Sequence, residues 1–181
     1  KWFLPISLEL LRILKPKGSF VLNIKETATN HERSTYVIQL ILKMREQGWK
    51  WTEEYIWRKT TSFPGSWPNR FRDAWERCLH FTKNTKFKMN QEAVMVPIGD
   101  WTKTRFMKKN GTVKKTMKDL EKDDKIRRAS KSKSGLERNV SNWLERDMVF
   151  PDNVLEFAPV VNNAKKHSAA FPDTLPEWFI K

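Results

Sequence analysis

The sequence has little of what extracellular, membrane-embedded and metal-centred proteins depend on. One cysteine, Cys78, stands among 181 residues, so no internal disulfide can form and a reducing compartment fits. The three histidines, His31, His80 and His167, are scattered, and with a single thiol they make no zinc-ligand spacing. No apolar run approaches the roughly 20 residues that span a bilayer. The basic stretches lack the sustained pattern of a helix lying on a membrane surface. No secretory or targeting segment is evident. The expectation is therefore a cytoplasmic protein with no membrane partner and no metal. Several enzyme signatures are missing too. There is no G-x-S-x-G nucleophile elbow and no G-x-x-x-x-G-K-(S/T) phosphate loop. The nuclease pattern P-D…(D/E)-x-K fails twice, because Glu156-Phe157-Ala158 after Pro151-Asp152 and Glu177-Trp178-Phe179 after Pro172-Asp173 both lack the lysine.

What the chain has in excess is positive charge. Its net charge of +14 and pI near 10.0 favour a polyanionic partner, most simply nucleic acid, bound through phosphate contacts and counterion release. The excess is concentrated. Between Lys103 and Arg138 fourteen basic residues, among them Lys103, Arg105, Lys108, Lys109, Arg127 and Arg128, face five acids. Apolar residues are sparse there, so the segment is expected to be an exposed arm or small subdomain. A solvated loop without a partner is the plain alternative; the concentration of charge favours nucleic-acid contact.

Aromatic residues are the second excess. Five of nine tryptophans lie between Trp49 and Lys83: Trp49, Trp51, Trp57, Trp67 and Trp75. Two extended runs there flank Phe63-Pro64-Gly65-Ser66-Trp67-Pro68-Asn69-Arg70-Phe71-Arg72, which prolines and glycine bar from being one helix or strand. A hairpin with a stiff aromatic tip is expected. Trp67, Asn69, Arg70, Phe71 and Arg72 form a candidate DNA contact, with rings that stack on a base and guanidinium groups that grip phosphate. The same rings could instead pack back on the core, Trp67 against Pro64 and Pro68.

Taken in order, residues 2 to 14 have helical spacing, with Ile6, Leu10, Ile13 and Leu14 on one face and Leu11 broadening it. Lys15-Pro16-Lys17-Gly18 makes a turn and Ser19 to Ile24 a buried strand. A second helix is expected over Glu32 to Gln47, capped by Gly48. The opening is thus helix, strand, helix, the rhythm of an α/β sheet. Val154 to Phe157 forms a short strand, and Thr174 with Glu177 a T-x-x-E capping box for a last helix. That helix has one turn before Lys181, and Lys1 rather than methionine opens the chain, which together suggest a piece of a longer product.

With these elements in place the sequence resembles bacterial DNA amino-methyltransferases of restriction-modification systems, in the permuted order that puts the catalytic half first. Leu11-Arg12-Ile13-Leu14-Lys15-Pro16-Lys17-Gly18-Ser19-Phe20-Val21 is similar to that family's "RvLKPgGs" helix-turn-strand. Trp57-Arg58-Lys59 through Pro68-Asn69-Arg70 and Leu79-His80-Phe81-Thr82-Lys83 resembles its hairpin against the flipped base. His167-Ser168-Ala169-Ala170-Phe171-Pro172 is similar to its "H-x-A-x-F-P" element. The resemblance implies a Rossmann-like α/β sheet with an inserted basic target-recognition region. Residues 1–83 would end the catalytic half, 84–150 would recognise DNA, and 151–181 would begin the cofactor-binding half. It implies methyl transfer from S-adenosylmethionine to the exocyclic amine of cytosine or adenine in double-stranded DNA. His167, Ser168, Ala169, Phe171 and Pro172 would line the methionine end of the cofactor. For His167 a water-exposed loop position is the plain alternative.

Two signatures of that family are absent. The catalytic (D/S)-P-P-(Y/W) loop would precede Lys1, and the glycine-rich F-x-G-x-G loop would follow Lys181. The first holds the flipped base and orients its nitrogen lone pair; the second lets backbone approach the cofactor. The expectation is a central portion with no catalytic residue of its own, inactive alone and dependent on those segments, which complementing chains could carry. The alternative in another class is a non-enzymatic basic nucleic-acid-binding module. The helix-strand-helix opening and the H-S-A-A-F-P segment argue against it, since a binding arm has no need of either.

Overall fold

Helix α1 (Phe3–Ile13) and helix α2 (Tyr36–Glu46) lie on one side of a four-stranded sheet in a computed structural model that describes residues 2–62, 69–99, 147–160 and 170–181. The chain divides into two units, Lys1–Asn90 with Asp152–Lys181, and Gln91–Pro151.

The first unit holds strands β1 (Ser19–Ile24), β4 (Lys50–Lys59), β5 (Trp75–Thr82) and β8 (Val154–Phe157), in the order β1-β5-β4-β8. Strand β5 runs antiparallel to both neighbours, while β4 and β8 are parallel. The sheet is therefore mixed. A two-strand ribbon, β2 (Ala28–Thr29) with β3 (Glu32–Arg33), sits between β1 and α2. Helix α3 (Thr174–Ile180) covers the opposite sheet face.

Each face has its own core. On the α1/α2 side Val37, Ile41, Met44, Trp49, Leu79 and Phe81 are buried, with Phe20 and Leu22 of β1 packed against them. On the α3 side Tyr55, Trp57, Cys78, Leu155 and Leu175 are buried, with Trp178 and Phe179 alongside. Fully burying a side chain of this size stabilises by about 1.5–3 kcal/mol before entropy is counted. One irregularity makes the two-sided use of β4 possible. Unbroken alternation would put Trp49, Tyr55 and Trp57 on one face. The pairing runs Trp51 with Phe81 and then Glu53 with His80, so Thr52 is an extra residue, a bulge. It shifts the alternation by one and sends Tyr55 and Trp57 to the α3 side.

The expected β1 and β8 match the observed strands, and the hairpin of two extended runs is β4 and β5. Three local expectations change. The inward residues of α1 are Phe3, Ser7, Leu10 and Leu11, while Ile6 and Ile13 are exposed. The reason is Ser7, fully buried as a polar link: its hydroxyl donates to Gln47 Oε1 (3.0 Å) and accepts from Trp49 Nε1 (2.9 Å). Helix α2 starts at Tyr36, because residues 28–33 form the β2/β3 ribbon. Helix α3 has Asp173 rather than Thr174 at its N-cap and no side-chain capping bond; Glu177 instead pairs with Lys181 at 2.8 Å.

Gly48 is needed where it stands, and Gly18 is closely packed. A Cβ on Gly18 would lie 2.9 Å from Leu14 Cδ1, and Gly48 ends α2 with φ at +105°.

The second unit contains a 3₁₀ turn at Gln91–Val94 and a short antiparallel pair, β6 (Val96–Pro97) with β7 (Met148–Val149). Beside the pair, Ile98 N–H donates to the Asp147 carbonyl at 2.8 Å.

Candidate functional site

The β4/β5 hairpin pairs from Lys50 with Thr82 out to Arg58 with Trp75. On the side entering β5, Phe71 is 98% exposed, more than any other large apolar side chain among the described residues. Leaving a ring that bare forgoes the burial that fixes most phenylalanines in a fold. Arg70 and Arg72 flank it.

Asp73 anchors this segment. Its carboxylate receives Arg33 at 3.0 Å, Lys25 at 3.4 Å and Arg70 at 3.7 Å. Arg33 also reaches Glu26 (2.9 Å), and Arg77 bridges Glu26 (3.5 Å) and Glu54. Four cations thus alternate with three carboxylates from the end of β1 to the start of β5. Each partly exposed pair contributes little alone, but a shared network restricts the geometry of the segments it joins. Burial alone would raise the Asp73 carboxyl, yet Lys25 and Arg33 outweigh it and hold it below the ordinary range. Glu26 behaves likewise: burial raises it, while its own backbone hydrogen bond, Arg77 and Arg33 bring it below.

The β2/β3 ribbon belongs to the same cluster. Its two-residue turn, Asn30-His31, has φ of 51° and 66°, and His31 Nδ1 lies 3.5 Å from Asn69 Nδ2. Both turn side chains are exposed.

Beside this network a cavity of about 660 Å³ opens between β1 and α3. Val21 to Lys25, Glu76 and Cys78 form one wall; Phe171, Leu175, Pro176, Phe179 and Ile180 form the other. The lining is mainly apolar with a few polar groups, the composition of small-molecule pockets. Asn23 is fixed there, its amide donating to the Arg77 carbonyl at 3.2 Å. Burial pushes the Cys78 thiol up to about 11, so it stays protonated and unreactive at neutral pH. Lys25 lines the cavity and also pairs with Asp73, so cavity and exposed aromatic segment share a wall.

The model of the DNA methylase family, the N6 and N4 methyltransferases, matches residues 1–181. The chain belongs to this family. The chain is 26% identical over 200 residues to the type II methyltransferase M.PvuII of Proteus hauseri, covering 99% of this chain and 55% of that relative. Among solved structures it is similar to the PvuII DNA methyltransferase described as cytosine-N4-specific, with a TM-score of 0.61 and 21% identity, over 99% of this chain and 52% of that one. That likeness establishes a Rossmann-like methyltransferase fold. The chain spans about half the length of the curated relative it matches.

Of the expected DNA-contacting residues, Asn69, Arg70, Phe71 and Arg72 lie together on the side entering β5, with Arg70 turned partly inward to Asp73. Trp67, Lys103, Arg105, Lys108, Lys109, Arg127 and Arg128 lie outside the described residues. Of the expected cofactor residues, Phe171 lines the cavity, and the Pro172 carbonyl accepts from Leu175 N–H (3.0 Å) where α3 begins. His167, Ser168 and Ala169 lie outside the described residues. Sequence reading missed Asp73 with its partners Lys25 and Arg33, the Asn30-His31 turn, and Asn23 and Glu76 in the cavity. A signal was present for the turn: two polar, turn-tolerant residues between Thr29 and Glu32. Among the described residues no helix is long and apolar enough to cross a membrane, and no group of three His, Cys, Asp or Glu side chains could hold a metal ion.

Proposed function

We propose that the chain is the DNA-gripping and cofactor-lining portion of a site-specific DNA methyltransferase that moves a methyl group from S-adenosylmethionine to an exocyclic base amine. Cytosine N4 is the target proposed, following the specificity named for the similar solved enzyme. The observation that carries the reading is the wall shared by the cavity and the bare Phe71 segment through Lys25 and Asp73. Methylation of a base amine needs the base outside the helix stack and beside the methyl donor, and a common wall supports both at once.

In this reading Phe71 stacks on the extruded base or fills the gap it leaves. Arg70 and Arg72 neutralise phosphates on either side, and the basic residues between 103 and 138 grip the duplex backbone. Residues 1–83 and 151–181 build the two walls, and residues 84–150 recognise the target.

The cavity suits the methionine end of the cofactor in size and character, with Phe171 as an apolar wall and Asn23, Lys25 and Glu76 offering polar contacts to its charged groups. S-adenosylmethionine when bound supplies a methyl group on a positively charged sulfur. Neither (D/S)-P-P-(Y/W) nor F-x-G-x-G occurs in the 181 residues, so the proposal assigns the base clamp and the glycine turn to other polypeptide. It expects no methyl transfer from the chain alone.

The test is binding of a labelled DNA duplex, followed by fluorescence anisotropy over a range of salt. Replacing Arg70 and Arg72 by alanine should weaken binding and reduce the slope of log K against log salt by about 1–2. An unchanged slope excludes their phosphate role. Phe71→Ala should weaken binding of a duplex with an unpaired cytosine by about five-fold or more, since base stacking contributes about 1–3 kcal/mol.

A further inference from the structure

The Asn30-His31 turn is an exception to the chemistry of two-residue hairpins. Ala28 pairs with Arg33 and Thr29 with Glu32, so only two residues connect the strands, and both have positive φ. This is the arrangement of a type I′ turn, which favours Asn followed by Gly because a Cβ is disfavoured at left-handed backbone. Asn30 meets that preference. His31 meets it less well than glycine would: histidine enters left-handed backbone more often than most residues, yet at φ of 66° a glycine would sit without penalty where the ring now stands. A ring kept at an exposed position that favours glycine points to a use for the side chain.

Where the ring sits suggests the use. His31 Nδ1 is 3.5 Å from Asn69 Nδ2, the outer limit of a hydrogen bond, so this contact does little to repay the backbone. Asn69 is two residues before the bare Phe71. The ribbon is held against that segment by Arg33, which bonds Asp73 and Glu26 together. The result is a polar cluster of one imidazole and two amides, exposed beside one unburied aromatic ring. Imidazole and amide groups both donate and accept, which is what the edge of a nucleobase requires. Phosphate alone would not call for acceptors.

We infer that the Asn30-His31 turn is a second DNA-contacting element, in which His31 and Asn69 hydrogen-bond to the edge of an unpaired base at the Phe71 ring. The inference rests on the proposed DNA-binding reading and adds a base-contact site to it. Arg33 and Asp73 act as positioning residues that keep the turn and the ring in register.

The test uses the full chain and two labelled duplexes, one fully paired and one with a single bulged cytosine. The variants are His31→Gly, His31→Asn and Phe71→Ala. Glycine relieves the backbone, so His31→Gly should leave Tm unchanged or raise it by about 1–3 °C. Its affinity for the bulged duplex should fall about ten-fold with an unchanged salt slope. His31→Asn tolerates the same backbone and keeps a donor and acceptor, so most affinity should return. If His31→Gly binds the bulged duplex like the parent while Phe71→Ala weakens it, the turn has no base contact and only this inference fails. If neither variant alters binding, the DNA-binding reading fails with it. A drop in Tm accompanying any loss of affinity would make His31 a structural residue and overturn the inference.

Discussion

Ser7→Ala is expected to destabilise the chain far more than a single hydroxyl on a helix normally would. Ser7 is fully buried, and Trp49, which donates to it across 2.9 Å, is 2% exposed. Alanine leaves the indole N–H without that acceptor in a place water does not reach, which costs about 1–3 kcal/mol. Gln47 Oε1 loses its donor as well, though Gln47 Nε2 keeps the Leu4 carbonyl at 2.8 Å. A total near 2 kcal/mol lowers Tm by about 4–8 °C for a chain of this size. Thermal and urea unfolding followed by circular dichroism would measure it. The decisive comparison is a double-mutant cycle with Trp49→Phe. Once the indole N–H is gone, Ser7→Ala should cost only about 0.5–1 kcal/mol, a coupling of about 1 kcal/mol or more. Additivity within about 0.3 kcal/mol would refute the claim that the hydroxyl is kept for the tryptophan.

His80 is buried and its pKa is depressed by that burial, with Glu53 opposing; Ser19, Tyr55 and Phe87 also surround the ring. Its neutral form is preferred in the folded state, so its contribution is intact above the ordinary histidine value of about 6.5 and is lost as pH falls from there through the lower folded value. His80→Gln should flatten the stability profile over that window, and an unaltered slope would assign it to another group. Glu26 and Asp73, both held below the ordinary carboxylate range, contribute stability at neutral pH that disappears as pH falls below about 4 and through their folded values. Asp73→Asn should lessen that acid loss in a urea titration, and an identical acid limb would show that its cation partners do not matter to folding. Cys78, buried with its thiol near 11, should react with a disulfide reagent at pH 8 at least about 100-fold more slowly in the native chain than in urea; comparable rates would mean that the strand opens readily.

Strands β1 and β8 were legible because each is a short apolar run between turn residues, and the β4/β5 hairpin because prolines and a glycine interrupt its middle. What stayed hidden depends on contacts between distant residues. The inward face of α1 includes a serine whose partners lie 40 and 42 positions away, so apolar spacing picked out Leu10, Leu11 and Leu14 but wrongly added Ile6 and Ile13. The central place of β5 follows from pairing with both β1 and β4, which no local pattern encodes. At the candidate site, composition pointed to Arg70, Phe71 and Arg72, yet Asp73 looked like an ordinary surface acid. Its importance comes from Lys25 and Arg33, brought to it by the strand β1 and the ribbon after it.

The extra residue at Thr52 makes chain length there more consequential than residue identity. Substituting Thr52 gives up a hydroxyl contact of 2.9 Å with Thr82, a modest local loss. Deleting it would only close the bulge, leaving Glu53 opposite His80 and Tyr55 opposite Cys78, whereas inserting one more residue would exchange inside for outside along the remainder of the strand, turning Glu54, Ile56 and Arg58 toward the layer now filled by Tyr55 and Trp57. Descendants of this sequence are free to vary the letter at that place, but a one-codon insertion would scramble one of the two layers that the sheet holds apart.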